Sequence, residues 1–235
     1  MEKFILFDVG ANWGSDSLEK TKLDPNYETY AFEPTPKLYE NLIWASKTGS
    51  VYPRSRLLDQ HHRWPLTPMT DPDGVNYSDR YHAYQLAISN YDGTATFNLG
   101  HQSNCDWGSS SLYEWADNKD NYWGHRPDLA FTGSIVVEVS RLDTWFKKNN
   151  IQLDQIDHFH CDTQGSDLNV LKGMGDYVQL IQTGVIEVAT DSERALYKET
   201  ENTLDEAQDW LDSCGFTFDN SNRQDHETNL RFRKK

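Results

Sequence analysis

Near the start of the chain, one aspartate, two glycines and an asparagine have the types and spacing of a ligand-binding turn. Asp8-Val-Gly-Ala-Asn-Trp-Gly14 closes the apolar run Phe4-Ile-Leu-Phe-Asp-Val9. At Gly10 the absence of a Cβ lets the backbone approach a ligand, and at Gly14 it lets a following helix pack closely. Glu33 follows Thr29-Tyr-Ala-Phe32, about twenty residues after the turn. At the carboxyl end of a second strand, a carboxylate so spaced can accept both hydroxyls of a ribose. Dinucleotide sites place a second glycine where Asn12 stands, so that backbone can meet a pyrophosphate. Asn12 therefore points to a nucleoside cofactor without one.

S-adenosyl-L-methionine fits that description, with its amino-acid end held by the turn and by Asp8. A second group lies downstream. His160 and Asp162 alternate along an expected strand and so share a face, as does His158. A histidine beside a carboxylate can act as a general base, and His160 and Asp162 are the catalytic candidates; a core histidine bonded to a neighbouring carbonyl is the other reading of His160. Asp162, Glu187 and Asp191 stand at adjacent strand ends and could together take Mg2+. Asp71-Pro-Asp-Gly74 lacks the distal glutamate of a calcium loop and reads as a turn. His61, His62, His82, His101 and His125 show no zinc spacing, and Cys105, Cys161 and Cys214 are isolated.

The elements that must position these groups alternate. A strand over Lys3–Val9 leads to a helix capped by Ser15, and a strand over Thr29–Phe32 to a helix capped by Thr35 with Pro36 at its first position. This β-α-β-α opening implies a parallel sheet with right-handed crossovers. Further strands are expected over His82–Ser89, Thr94–Leu99, Ser134–Ser140, Phe159–Asp162 and Thr183–Ala189. Thr203 and Glu206 form a capping box for a helix that stops at Gly215, and an antiparallel pair over 216–218 and 230–232 ends the pattern. Residues 50–81 and 100–133 interrupt it with Pro-, His-, Trp-, Tyr- and Asp-rich sequence, long enough to suggest functional loops.

The motifs Phe7-Asp-Val-Gly-Ala-Asn-Trp-Gly14, Ala31-Phe-Glu-Pro-Thr-Pro36, Leu86-Ala-Ile-Ser89 with Gly93, Arg141-Leu-Asp-Thr144, Asp162-Thr-Gln-Gly-Ser-Asp-Leu-Asn-Val-Leu-Lys-Gly173 and Val185-Ile-Glu187 occur in this order. Together they resemble the FkbM family of methyltransferases, from residue 4 to about residue 190 outside the two loops. The resemblance implies an α/β, Rossmann-like class I methyltransferase fold. Its mostly parallel seven-stranded sheet would carry an antiparallel C-terminal strand and two long inserted loops, in one domain over residues 1–235. It also implies that Asp8, Gly10 and Asn12 hold the methionine part of S-adenosylmethionine and Glu33 the ribose. Ile88 and Ser89 would lie near the adenine, and Asp162 would border the methyl group. Members of the family mostly methylate hydroxyls of sugars and of small secondary metabolites. Two positions depart from the family pattern: His160 stands where a lysine is usual, and Asp167 where a glutamate is usual.

Composition narrows the partners. A formal net charge of −15 repels phosphate backbones and anionic lipid, so neither nucleic acid nor a membrane surface is expected. No run approaches a membrane span and no leader is evident, so a soluble, cytoplasmic protein is expected. Aromatic residues make up 13% of a chain whose mean hydropathy is −0.79, and Tyr77, Tyr81, Trp107, Tyr113, Trp115, Tyr122 and Trp123 crowd the two loops. Rings among hydrogen-bonding side chains suit a sugar or small-molecule acceptor, although packing of the loops onto the sheet would use such rings too. The expectation is an O-methyltransferase acting on a sugar, glycan or glycosylated metabolite. A silent binding protein on the same fold, or a nicotinamide oxidoreductase, would share the glycine turn.

Overall fold

The computed structural model describes residues 3–51, 64–65, 70–102, 105–106, 108–126, 129–198, 201–219 and 225–235. In chain order the elements are β1 (Phe4–Val9), α1 (Leu18–Leu23), β2 (Tyr27–Phe32), α2 (Pro36–Thr48), β3 (Trp64–Pro65), β4 (Tyr81–Tyr84), β5 (Ala87–Ile88), β6 (Gly93–Leu99), β7 (His101–Gln102), β8 (Cys105–Asp106), α3 (Lys119–Trp123), β9 (Gly133–Ser140), α4 (Leu142–Lys148), β10 (Ile156–Cys161), α5 (Asp167–Lys172), a 3-10 turn (Gly175–Leu180), β11 (Ile181–Ala189), α6 (Leu204–Ser213), β12 (Phe216–Asp219) and β13 (Glu227–Lys234).

Seven strands form one sheet in the order β12-β13-β11-β10-β1-β2-β4. Strands β4, β2, β1, β10 and β11 pair in parallel, and β13 runs antiparallel to both β11 and β12. The fold is thus the mostly parallel seven-stranded α/β sheet expected of the sequence. Alternation along the strands makes two faces. Ile5, Phe7 and Val9 point to one, where they join Trp145, Phe146, Phe159, Leu171 and Leu211 in the larger core. On the other, Leu18, Ala31, Leu42 and Ala45 pack α1 and α2 down together with Tyr77 and Tyr81. Layers of helix on both faces are what a sheet with hydrophobic parallel strands requires.

Four local expectations change. The strand expected over His82–Ser89 is two: β4 ends at Tyr84, opposite Phe32, and β5 joins β6 and β9 in a separate three-stranded sheet. Its partner β2 runs out at Glu33-Pro34, and Pro34 has no N–H to continue the ladder. Helix α1 begins at Leu18, next to Ser17 rather than Ser15, whose hydroxyl bonds Asp16 (3.1 Å). Thr35 flanks α2 as expected, with Pro36 at the first position, but its side chain makes no cap bond. The second interruption holds the short helix α3, and Trp115 in it stacks on Phe131 (4.2 Å) and Tyr197 (5.1 Å). Tyr77 and Tyr81 are core residues, bonding Ser50 O and the Ser17 hydroxyl. His61, His62 and Trp107 lie outside the described residues. The capping box of Thr203 and Glu206 and the final antiparallel pair form as expected. Among the described residues, no helix is long and apolar enough to cross a membrane.

Candidate active site

The carboxyl ends of β2, β1, β10 and β11 meet along one edge of the sheet, and antiparallel β13 starts there, with Glu227 opposite Ala189. Chain order reverses between β1 and β10, the position at which open α/β sheets bind ligands. At that point Gly10 has φ +80°, and a Cβ on it would lie 1.9 Å from the Asp162 carbonyl oxygen. Gly14 (φ +73°) is packed against Leu18 and Leu42 with no room for a Cβ. Asn12 adopts φ +49°, and its N–H donates to Glu33 Oε2 (2.9 Å). The other oxygen of buried Glu33 accepts the N–H of Thr35 (2.8 Å). The acid therefore ties the turn after β1 to the entry of α2, with its carboxylate at the mouth of a slot.

Two cavities share this edge. The slot is lined by Gly10, Asn12, Phe32, Glu33, Leu86, Ile88, Phe97, Leu112 and Asp162, among others, and is narrow, at about 50 Å3. The second is a polar bowl of about 320 Å3, lined by Asp8, Asn12, Trp13, Asp16, Trp123, Arg126, His160, Asp162, Glu187 and Glu227, among others. Gly10, Asn12, Gly108, Asp162 and Gln164 belong to both walls. Ile88 faces the slot, whereas Ser89 is buried with its hydroxyl against that of Ser166 (3.1 Å), outside the lining. Of the loop aromatics expected to meet an acceptor, Trp123 is in the bowl wall; its Nε1 donates to Arg194 O (3.1 Å).

Charge is concentrated in the bowl. Asp8 is 1% exposed, and its Oδ1 meets His160 Nδ1 at 2.9 Å while its Oδ2 has no hydrogen-bond partner. His160 Nε2 lies 3.8 Å from Asp16. Burial pulls the His160 pKa down, but the Asp8 bond and the charges of Asp8, Asp16 and Asp162 outweigh it and hold the imidazole at about 9. His160 is thus an imidazolium at neutral pH. His158 bonds Thr183 Oγ1 (3.0 Å), and burial, with Lys20 and His160 nearby, pushes it down to about 4.

On the far wall, burial raises Asp162 and Glu187 above the usual carboxylate range; the charge of Asp162 adds to the rise at Glu187, whereas His160 and the hydrogen bonds of Gln164 and Glu187 oppose it at Asp162. Burial and the charge of Asp162 lift Asp167 to about 7, and burial with the charges of Asp162 and Asp167 lifts Glu227 to about 8. Asp167 accepts from the Thr163 hydroxyl (3.0 Å) and the Glu187 N–H (3.2 Å), so the shorter acid fixes β11 against the turn after β10.

The magnesium expectation fails on donor placement. Asp191 is drawn into an ion pair with Arg194, and the Gln164 amide donates to both Asp162 and Glu187. Among the described residues, no three His, Cys, Asp or Glu side chains gather as metal ligands.

Sequence reasoning missed Gln164, Tyr197, Glu227 and Gly108. Gln164 has the parity of His160 and Asp162, a signal that could have found it; nothing local marks the other three.

The glycine turn, the ribose-spaced acid and the sheet order define a Rossmann-like fold of the class I methyltransferase type. The chain belongs to the FkbM methyltransferase domain family, whose profile matches residues 8–218. A curated relative, the 2-O-methyltransferase NoeI of Sinorhizobium fredii, is 26% identical over 174 residues, covering 72% of this chain and 56% of that protein. The crystal structure of methyltransferase FkbM from Methylobacillus flagellatus superposes with a TM-score of 0.51 at 12% identity, over 98% of this chain and 43% of that one. The chain therefore spans about half the length of these relatives.

Proposed function

We propose that the protein is an S-adenosylmethionine-dependent O-methyltransferase whose acceptor is a hydroxyl of a sugar, glycan or glycosylated small molecule. The observation that carries this reading is the pair of cavities joined at Gly10, Asn12, Gly108, Asp162 and Gln164. The residues fit the cofactor. Gly10 leaves a cradle that a Cβ would fill, Asp8 Oδ2 is a buried acceptor without a partner, and Glu33 presents its carboxylate among apolar walls. Glu33 would hold the ribose, Ile88 with Leu86 and Phe97 the adenine, and Asp8, Gly10 and Asn12 the amino-acid end. Since the slot is narrow, Gly108–Leu112 would have to shift to admit the nucleoside.

When bound, the cofactor supplies an electrophilic methyl group. The residues around the bowl bind the acceptor, exclude water and take its hydroxyl proton. Asp162, on the shared wall, is the group we assign as base, because His160 is already protonated at neutral pH and is bonded to Asp8. His160 then pairs with Asp8 on the wall of the bowl. Trp13, Trp123 and the polar wall suit a sugar, needing both a ring face and hydrogen-bond partners. The net charge of −15 disfavours a polyanion, and NoeI is a 2-O-methyltransferase by name.

Calorimetric titration with S-adenosylmethionine, S-adenosylhomocysteine and NAD tests the cofactor; tight binding of NAD alone would replace this reading with an oxidoreductase. A labelled-methyl screen over sugars, nucleotide-sugars, glycan fragments, catechols, peptides and nucleic acids tests the acceptor. Preferred labelling of peptide or nucleic acid would overturn the sugar assignment.

A further inference from the structure

Gln164 occupies a position that its backbone does not favour. Its φ is +57°, a left-handed conformation that L side chains other than Asn and Asp rarely take, and Gly165 follows at +99°. A glycine would relieve that conformation, so the side chain is the part to explain. Its Nε2 donates to Asp162 Oδ1 (2.6 Å) and to Glu187 Oε2 (2.9 Å). Its Oε1 accepts from the Tyr197 hydroxyl (2.8 Å). All of the amide's main hydrogen-bonding directions are thus used, and only one orientation is allowed. Turned over, the amide would aim its oxygen at two carboxylates.

The same residue is joined to the loop over the cavities. Ser111 Oγ donates to the Gln164 carbonyl (2.6 Å), and the Tyr197 hydroxyl also reaches the Ser109 carbonyl (3.0 Å). Gly108 lies against the Asn12 side chain and lines both cavities. Tyr197 is buried and stacks on Trp115, so its hydroxyl is held in place. Gln164, by its amide and its backbone carbonyl, therefore links the turn after β10, strand β11, the segment after β11 and the Gly108–Ser111 loop.

We propose, on the methyltransferase reading above, that Gln164 is a positioning residue. Its amide, oriented by Tyr197, holds the Asp162 and Glu187 carboxylates on one wall of the bowl, facing the acceptor. Two acids brought together without a donor between them would turn apart or share a proton. The amide gives each an N–H, which favours ionisation and leaves the remaining oxygens toward the cavity. It acts through the two carboxylates and not on the acceptor itself.

The test follows the side-chain carboxyl carbons of Asp162 and Glu187 by NMR between pH 4 and 10, in protein labelled in its acidic side chains. Spectra are taken with and without S-adenosylhomocysteine. Gln164→Met keeps the length and removes every hydrogen bond. It should raise the titration midpoints of both acids by about one pH unit or more, while carboxylates outside the bowl stay where they are. Tyr197→Phe leaves the amide but not its anchor, and should shift the same two acids in the same direction by less. If Gln164→Met does not fold, Gln164→Asn, one methylene shorter, should give the same upward shift. Midpoints unchanged in a folded variant would overturn the proposal. So would equal shifts at every carboxylate, which would mark a general loosening. Binding of S-adenosylhomocysteine reads the methyltransferase assignment separately: its absence in the parent protein would sink that assignment, while the titration would still decide the role of Gln164.

Discussion

The slot and the bowl lie side by side at the same sheet edge, yet they are built in different ways. The slot is made of backbone and apolar side chains: a glycine turn, the Asn12 N–H on Glu33, and Ile88, Phe97 and Leu112. Its parts come from strands adjacent in the sheet and from the short β5–β6 unit. The bowl is made largely of ionisable side chains, brought from β1, β10, β11, β13 and the segments that follow β1 and α3, and four of its acids, Asp16, Asp162, Glu187 and Glu227, press on one another's charge. On the proposed function, the comparison teaches that a cofactor site can be written in local geometry, while a site that chooses and deprotonates an acceptor depends on long-range electrostatics.

The sharpest way to break the contrast is at Gly10. Gly10→Ala puts a Cβ into the Asp162 carbonyl at a positive φ, so it should abolish S-adenosylhomocysteine binding and destabilise the fold by about 2–4 kcal/mol. Calorimetry and denaturant melts measure both; a variant that binds within tenfold of the parent would show that the turn does not cradle the ligand. In the bowl, Asp162→Asn should slow methyl transfer by about 10²-fold or more, the usual worth of a general base, and His160→Ala by less than about tenfold. The reverse order, with a rate that climbs toward pH 9, would return the base to His160. Glu33→Ala should weaken S-adenosylhomocysteine binding by about 1.5–3 kcal/mol, since a charge-assisted hydrogen bond is lost. An unchanged affinity would remove Glu33 from the ribose.

The smallest effect is on stability, and it separates the two regions by pH. His160 is raised to about 9 in the fold, so its contribution is complete below its unfolded value near 6.5 and disappears as pH climbs to 9. Asp167 and Glu227 are raised to about 7 and 8; the folded state therefore holds protons that the unfolded chain has released above pH 4. Both act in one direction: the ligand-free protein should melt at lower temperature at pH 9 than at pH 6. Glu227→Gln should flatten that slope, and a slope of opposite sign would show that Asp167 and Glu227 are not held protonated.

Much of this was legible in the residues. Phe4–Val9, Gly10 and Gly14 announce a strand and turn because the apolar run and the glycines are contiguous, and Thr203 with Glu206 announces a helix start because a capping box spans four residues. The separation of β4 from β5 was not, since it depends on where the neighbouring strand β2 stops. Nor was the charge state of His160, which is set by Asp8 across the sheet and Asp16 on the preceding loop. Asp191 looked like a partner for Asp162 in one dimension, and Arg194 claims it in three. Gln164 shared the parity of His160 and Asp162, but Tyr197 carried no signal of its own, because its role exists only where the four segments meet.

Strand β13 has a consequence for the order of assembly. It is the last strand in sequence, yet it sits inside the sheet, between β11 and β12. Among the described residues β12 pairs with the sheet only through it, so β12 joins once β13 lies antiparallel along β11. These pairings are near in sequence, Ala189 standing opposite Glu227, whereas Asp8 on β1 meets His160 on β10 across 152 residues; loop closure makes the second pairing the slower to form. Glu227 opens β13, and with it the acid wall of the bowl is completed. The molecule should therefore pass through a stage with its acid wall assembled on β11 and β13 and its glycine turn not yet closed against β10. Pulse-labelled hydrogen exchange during refolding would show this as amide protection on β11 and β13 ahead of β1, a nascent sheet that has one wall of its bowl before it has the other.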